Sequence, residues 1–259
     1  MSLNDCNAKP ISFGIDSLKF VQNIIQPILY PKPQTPEKLI KDLELNPRTK
    51  LFFIGNKKHR QITCFYEIKS TQQTDKVLIF SHGNACDIYS MYSYLKSLAN
   101  NLNVNVVCYD YPSYGLSKGE LNEHTCYRSL HDVVWYWKNK TEKILLVGQS
   151  LGTGIVVDYI SKNNWTQPVV LISPYKSIPK VITQVNLFEL VIVNNRFDTW
   201  NKISKCTCPI KIFHGKSDKV IEVSHGIDLY EKLPNKSLNA HFFNNCAHND
   251  ILDKISWQD

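Results

Sequence analysis

Gly148-Gln149-Ser150-Leu151-Gly152 is the stretch of this chain best suited to chemistry. A serine hydroxyl is a poor nucleophile until a base takes its proton, and that base needs an acid to orient it. Glycines two before and two after Ser150 let the backbone turn sharply. Such a turn lifts the serine out and aims the amide of Leu151 at the place where a carbonyl oxygen would become an anion. Gly148 and Gly152 therefore read as supports of the turn. On a strand–turn–helix unit of this kind, the acid and then the histidine follow the serine along the chain. Asp218, in Gly215-Lys216-Ser217-Asp218-Lys219-Val220, fits the acid, although an aspartate there could simply make a turn. His248, in Asn245-Cys246-Ala247-His248-Asn249-Asp250, fits the base. His225 at a helix start and His241 at a strand start are worse placed. Asp110 and Asp250 are the other carboxylates to weigh. A second oxyanion donor is expected from His82-Gly83-Asn84-Ala85: the backbone amide of Asn84, with Gly83 allowing close approach and His82 bracing the loop. The turn from Tyr109 to Gly115 is expected to border the same site.

The elements that must position these residues follow from the hydrophobic pattern. Short runs at Lys76 to Ser81, Asn105 to Tyr111, Ile144 to Val147, Pro168 to Ser173, Pro209 to His214 and Ala240 to Asn244 read as strands, Ile144 to Val147 with the length of a buried parallel one. Helical segments fall between them, at Asp87 to Ala99, Thr125 to Lys138, Ile155 to Ile160 and Ser224 to Leu233, with a short one from Ile251 to Trp257. Lys50 to Asn56 and Gln61 to Lys69 read as an antiparallel hairpin, with Lys57-Lys58-His59-Arg60 at its solvated tip. Alternation of this kind predicts an α/β fold: a mostly parallel central sheet flanked by helices. The division expected is an N-terminal amphipathic helix and an extended, proline-rich link over 1–49, then a single α/β domain over 50–259. A short or minimal cap falls at about 174–205, where no strand is expected. Leu187 to Val193 is either core packing or one wall of an acyl groove.

The chain has 259 residues, enough for one large domain with a full core. Its 43% apolar and 20% charged content is that of an ordinary globular protein. Net charge is +7 and the isoelectric point is near 8.9, but the basic residues are scattered. No basic helix or aromatic-basic motif points to nucleic acid as a partner. Of eight cysteines, only Cys206 and Cys208 lie close in sequence, and without a second pair or nearby histidines they predict no metal site. No cofactor is expected. The polar N-terminus predicts no signal peptide, and no apolar run reaches membrane-spanning length. A cytoplasmic protein with free thiols is expected. Residues 15–30 form an amphipathic helix candidate, either packed on the domain or in weak contact with a membrane surface. Oligomeric state is not legible.

The chain resembles the α/β-hydrolase superfamily from about Leu51 onward. Ser81 to Asp87 (SHGNACD), Tyr109 to Gly115 (YDYPSYG), Gly148 to Thr153 (GQSLGT), Ser224 to Glu231 (SHGIDLYE) and His248 to Asp250 (HND) resemble the branch that includes eukaryotic protein depalmitoylases. The resemblance implies a serine hydrolase with nucleophile Ser150, acid Asp218 and base His248. It implies an acyl ester or thioester substrate, on a small molecule or on a protein. The sequence departs from that branch at Ser113, where glycine is usual, and at the N-terminus, where Cys6 alone stands in place of a lipidated cysteine cluster. A taste for Asn, Lys, Ile and Tyr suggests an AT-rich coding genome, a protist's or a large DNA virus's. Two alternatives remain: a peptidase or amidase on the same fold, and an inactive hydrolase-fold binding module.

Overall fold

The computed structural model describes residues 30–56, 60–181 and 197–257. Eight strands make one sheet: β1 (Thr49–Asn56), β2 (Gln61–Ile68), β3 (Val77–Ser81), β4 (Asn105–Tyr109), β5 (Ile144–Gln149), β6 (Val169–Ile172), β7 (Ile210–Gly215) and β8 (His241–Phe243). Their spatial order is β1-β2-β4-β3-β5-β6-β7-β8. The β1–β2 and β2–β4 pairs are antiparallel, and the six strands from β4 to β8 run parallel. The expected α/β architecture is thus the observed one.

The chain moves outward from β3 to β4 and then returns across β3 to place β5 on its other side. In open α/β sheets such a reversal leaves a crevice beyond the carboxyl ends of the two strands involved. The loop from His82 follows β3, and Ser150 follows β5. Topology alone therefore brings these two segments together.

The helices are α1 (Glu37–Lys41), α2 (Ile88–Leu102), α3 (Glu123–Lys138), α4 (Leu151–Lys162), α5 (Ile178–Val181), α6 (Val223–Glu231) and α7 (Ile251–Lys254). They cover both faces of the sheet. Val77 and Ile79 of β3 pack with Leu130 and Val133 of α3 and Ile155 of α4. Leu78 and Phe80, pointing the other way, pack with Met91 and Leu95 of α2 and Ile251 of α7. A strand buried on both faces has no solvent side, which is why these strands read as continuous apolar runs. Helix starts are well marked. Asp87 and Asn122 accept the amides of Ser90 and Thr125, whose hydroxyls turn back to the cap residues. Such caps are worth about 1 kcal/mol each.

Two expectations are adjusted. Glu37–Lys41 is helical and continues as a 3-10 turn over Asp42–Leu45, where an extended link was expected. Pro36 stands at the N-cap, and proline precedes a helix as readily as it ends one. The helices expected from Asp87, Thr125 and Ile155 all extend past the expected bounds by two to four residues at an end, as apolar periodicity does not mark end turns. The amphipathic segment 15–30 (except Tyr30), Cys6, the hairpin tip 57–59, and 182–196 with its acyl-wall candidate Leu187 to Val193 lie outside the described residues. Tyr30 itself is buried in the core on the α3 and α4 side.

Ser113, the departure from glycine, has φ +65°. That left-handed conformation costs an L-residue about 1–2 kcal/mol. The Ser113 hydroxyl donates to the Gly119 carbonyl oxygen at 2.9 Å, a partial compensation. Ser113→Gly is expected to be tolerated, whereas Ser113→Val should lose about 1–2 kcal/mol more. Urea midpoints of the two variants check this; equal midpoints would mean that the turn is not held in this conformation.

Candidate active site

The turn after β5 places Ser150 at φ 49° and ψ −117°, a backbone state that side-chain-bearing residues rarely adopt. Its amide donates to the Ile172 carbonyl of neighbouring β6, and its carbonyl accepts from the Thr153 amide, both at 2.9 Å. The turn is tight on all sides. A Cβ on Gly148 would lie 2.7 Å from the Gly152 carbonyl oxygen, and a Cβ on Gly152 would run into the Ser81 carbonyl of β3. This crowding is the physical reason for the two glycines. Ser150 is the N-cap residue of α4, yet its side chain makes no capping bond. First-turn amides of a helix have no carbonyl before them to bond. The amide of Leu151 is one of these, at the positive end of the helix dipole.

The Ser150 hydroxyl faces His248 instead: Nε2 of the ring lies 3.2 Å from Oγ. The other ring nitrogen, Nδ1, lies 2.6 Å from Oδ2 of Asp218. A carboxylate accepts, so Nδ1 carries the hydrogen and Nε2 presents a lone pair to the hydroxyl. Serine, imidazole and carboxylate come from the loops after β5, β8 and β7 and line up as one relay. Asp218 is 6% exposed. Burial alone would raise its pKa. Hydrogen bonds from His214 and His248 and from the Ile221 amide outweigh that, and hold the carboxyl well below the usual carboxylate range. Its other oxygen, Oδ1, accepts the amides of Val220 and Ile221 at 2.9 and 2.8 Å.

The remaining candidates are placed elsewhere. Asp250 accepts the Ala247 amide at 3.3 Å at the start of α7. Asp110 is fully buried with Oδ1 3.5 Å from His82 Nε2, and burial raises its pKa against the pull of His82. His225 accepts the Lys176 amide, and His241 lies exposed in β8.

The loop after β3 lies against the serine. A Cβ on Gly83 would stand 3.7 Å from the Ser150 Cβ. His82 is fully buried, and its Nδ1 bonds the Gly83 carbonyl oxygen at 2.8 Å while Nε2 faces Asp110, so the ring braces the loop. Two tyrosines of the Tyr109 to Gly115 turn pin this loop. Tyr111 donates to the His82 carbonyl at 2.6 Å, and the Tyr114 hydroxyl lies 2.9 Å from the Asn84 carbonyl and 3.0 Å from its Oδ1. With its side chain and carbonyl both engaged by Tyr114, Asn84 has its backbone orientation fixed. The turn was expected to border the site; the specific bracing by Tyr111 and Tyr114 was not foreseen. Nor was His214, whose ring stands beside Asp218. Its only sequence signal is its place at the end of β7, directly before the Asp218 loop.

Described residues on either side of 182–196 pack on α4. Tyr175 donates to the Leu151 carbonyl at 3.3 Å and lies against Gly154, and Phe197 is buried beside them. Cys206 and Cys208 are buried in the apolar core, and burial raises both thiols, to about 12 and about 11. No helix among the described residues is long and apolar enough to cross a membrane.

A mostly parallel sheet with helices on both faces, and with polar side chains gathered beyond its carboxyl ends, is the frame of the α/β hydrolases. Residues 65–168 match the protein family described as Chlamydia CHLPS protein (DUF818). A protein of Acanthamoeba polyphaga mimivirus named as an alpha/beta hydrolase is 45% identical over 195 residues, which is 73% of each chain. Mouse alpha/beta hydrolase domain-containing protein 17C is 32% identical over 206 residues, 78% of this chain and 62% of that protein. The chain thus spans about three fifths of that relative's length. Among solved structures, an esterase of Pyrococcus furiosus superposes with a TM-score of 0.64 at 18% identity, over 85% of this chain and 88% of that one. The chain belongs to the α/β-hydrolase family, and it is a hydrolase.

Proposed function

We propose that this hydrolase cleaves acyl esters or thioesters through a covalent acyl-enzyme on Ser150. The observation that carries the reading is the relay from Asp218 through His248 to Ser150, at 2.6 and 3.2 Å. His248 takes the hydroxyl proton as Oγ attacks the acyl carbon. The tetrahedral oxyanion is met by the backbone amides of Leu151 and Asn84. His248 then gives the proton to the leaving alcohol or thiol. Water repeats the sequence and frees the acid. Asp218 keeps its charge throughout and steadies the imidazolium. No step calls for a metal or an organic cofactor.

The substrate reading rests on the resemblance to the protein depalmitoylases: an acylated cysteine on a protein, with a medium or long acyl chain. The single-domain organisation over 50–259, with a short cap near 174–205, belongs to the same proposal. A thin cap leaves room for a bulky leaving group. Each methylene buried by an acyl chain is worth about 0.8 kcal/mol, so kcat/KM should climb steeply with chain length. The test is a p-nitrophenyl ester series from acetyl to palmitoyl, followed by an S-palmitoylated peptide. A flat or falling series would overturn the long-acyl reading. A rising series without turnover of the peptide would leave an esterase for small molecules.

A further inference from the structure

We propose that His214 is a positioning residue for this reaction: it holds in place the Asp218 carboxylate, whose Oδ2 also faces His248. The proposal rests on the roles given above to Asp218 and His248.

His214 is the penultimate residue of β7, and its side chain is fully buried. Its Nε2 lies 2.9 Å from the Ile221 carbonyl oxygen and 3.5 Å from Asp218 Oδ2. Both are acceptors, so Nε2 carries a hydrogen. The bond to Ile221 is the short one, and Oδ2 receives the weaker, electrostatic share. That bond ties the strand end to the far side of the loop 215–221, which holds the acid. Four N–H groups face the carboxylate: two backbone amides of the loop on Oδ1, and the rings of His214 and His248 on Oδ2.

Packing does not account for an imidazole here. Its Nδ1 is buried with no hydrogen-bond partner among the described residues. An apolar side chain would fill the space without stranding a polar atom. The ring is also fitted closely, since a Cβ on Gly226 of α6 would lie 2.5 Å from Nδ1. A stranded nitrogen kept in a closely fitted place is what a needed N–H on the other side of the ring would require.

Two effects follow. Without the His214 N–H the loop can relax, and His248 is less well aimed, so kcat falls while KM changes little. The carboxylate also keeps more of its charge for His248. The imidazolium then forms more readily, and the acid limb of kcat/KM moves to higher pH. Other titratable groups face this pair. From α6 comes His225, whose pKa is pushed down first by burial and then by Lys176 and His214, with Glu222 and Asp228 opposing. From the loop after β8 come His248 itself and Cys246, whose thiol is pushed up first by burial and then by Asp250 and Asp218, with Lys254 opposing.

The test compares His214→Leu with His214→Gln, whose side-chain amide can reach the place of Nε2. His214→Leu should lower kcat about five- to tenfold, the worth of one ordinary hydrogen bond, and move the acid limb up by about half a unit. His214→Gln should recover most of both. Equal losses in the two with an unmoved limb would make His214 structural only, and wild-type kinetics in His214→Leu would also overturn the proposal. A limb shift that disappears in a His225→Gln background would belong to His225 and count against it. Should the Leu variant fail to fold, Gln is compared with His214→Asn, whose shorter amide falls short of Ile221; equal kinetics would again overturn it. Wild-type activity in Asp218→Asn and His248→Ala would instead remove the underlying roles. With those two inactive and His214→Leu normal, the present proposal fails alone.

Discussion

Ser150→Ala is expected to lower kcat by about 10⁶-fold while leaving the fold intact. In triad enzymes the nucleophile and base act as one unit, so losing either costs about as much as losing both. What survives comes from binding and from the amides of Leu151 and Asn84. The fold should not suffer, because among the described residues the Ser150 side chain neither caps α4 nor bonds anything but His248. The strained backbone at φ 49° is as awkward for alanine as for serine. Circular dichroism and thermal melting should match the parent, and kcat on a p-nitrophenyl ester is the measurement. A folded variant with near-parent turnover would place the nucleophile elsewhere.

Asp218→Asn is expected to cost about 10⁴-fold in kcat and to lower stability as well. The carboxylate is surrounded by donors: the amides of Val220 and Ile221 on one oxygen, His248 and His214 on the other. An asparagine must turn its NH₂ toward one of these pairs. Facing His248, it stabilises the tautomer with the hydrogen on Nε2, which cannot accept the serine proton. Facing the backbone, it leaves buried donors unmet, at about 1–3 kcal/mol. The same surroundings set a pH dependence. The folded pKa of Asp218 lies below its unfolded value. Its charge therefore stabilises the fold fully above the ordinary carboxylate range, and this contribution is lost as pH falls through the folded pKa. The parent should lose stability on acidification more steeply than Asp218→Asn. Urea titrations of both proteins across the acid range check this. Parallel curves would mean that the carboxylate is not held as described.

Much of this site could be read from sequence because its parts obey local rules. Two glycines around Ser150 are dictated by a turn too tight for a side chain. Asp218 and His248 each follow a short apolar run that reads as a strand, and the sheet topology then brings the loops together. The supports were harder to see. Tyr114 meets Asn84 across 30 residues of chain, and His214 reaches Ile221 around a loop whose closure no pattern announces. Such contacts depend on how loops curl above the sheet, where hydrophobic periodicity is silent. Glu37–Lys41 was missed for a different reason: prolines crowd before it, and a proline is compatible with either a helix start or an extended link.

The most direct test of the covalent mechanism is to trap the intermediate. The protein is treated with a fluorophosphonate, digested, and the modified peptide is sequenced by mass spectrometry, with His248→Ala run in parallel. The account predicts a single adduct on Ser150 in the parent and little or none in His248→Ala, since the hydroxyl is not activated without its base. An adduct on another serine, or ester hydrolysis by a protein that never labels at Ser150, would contradict it.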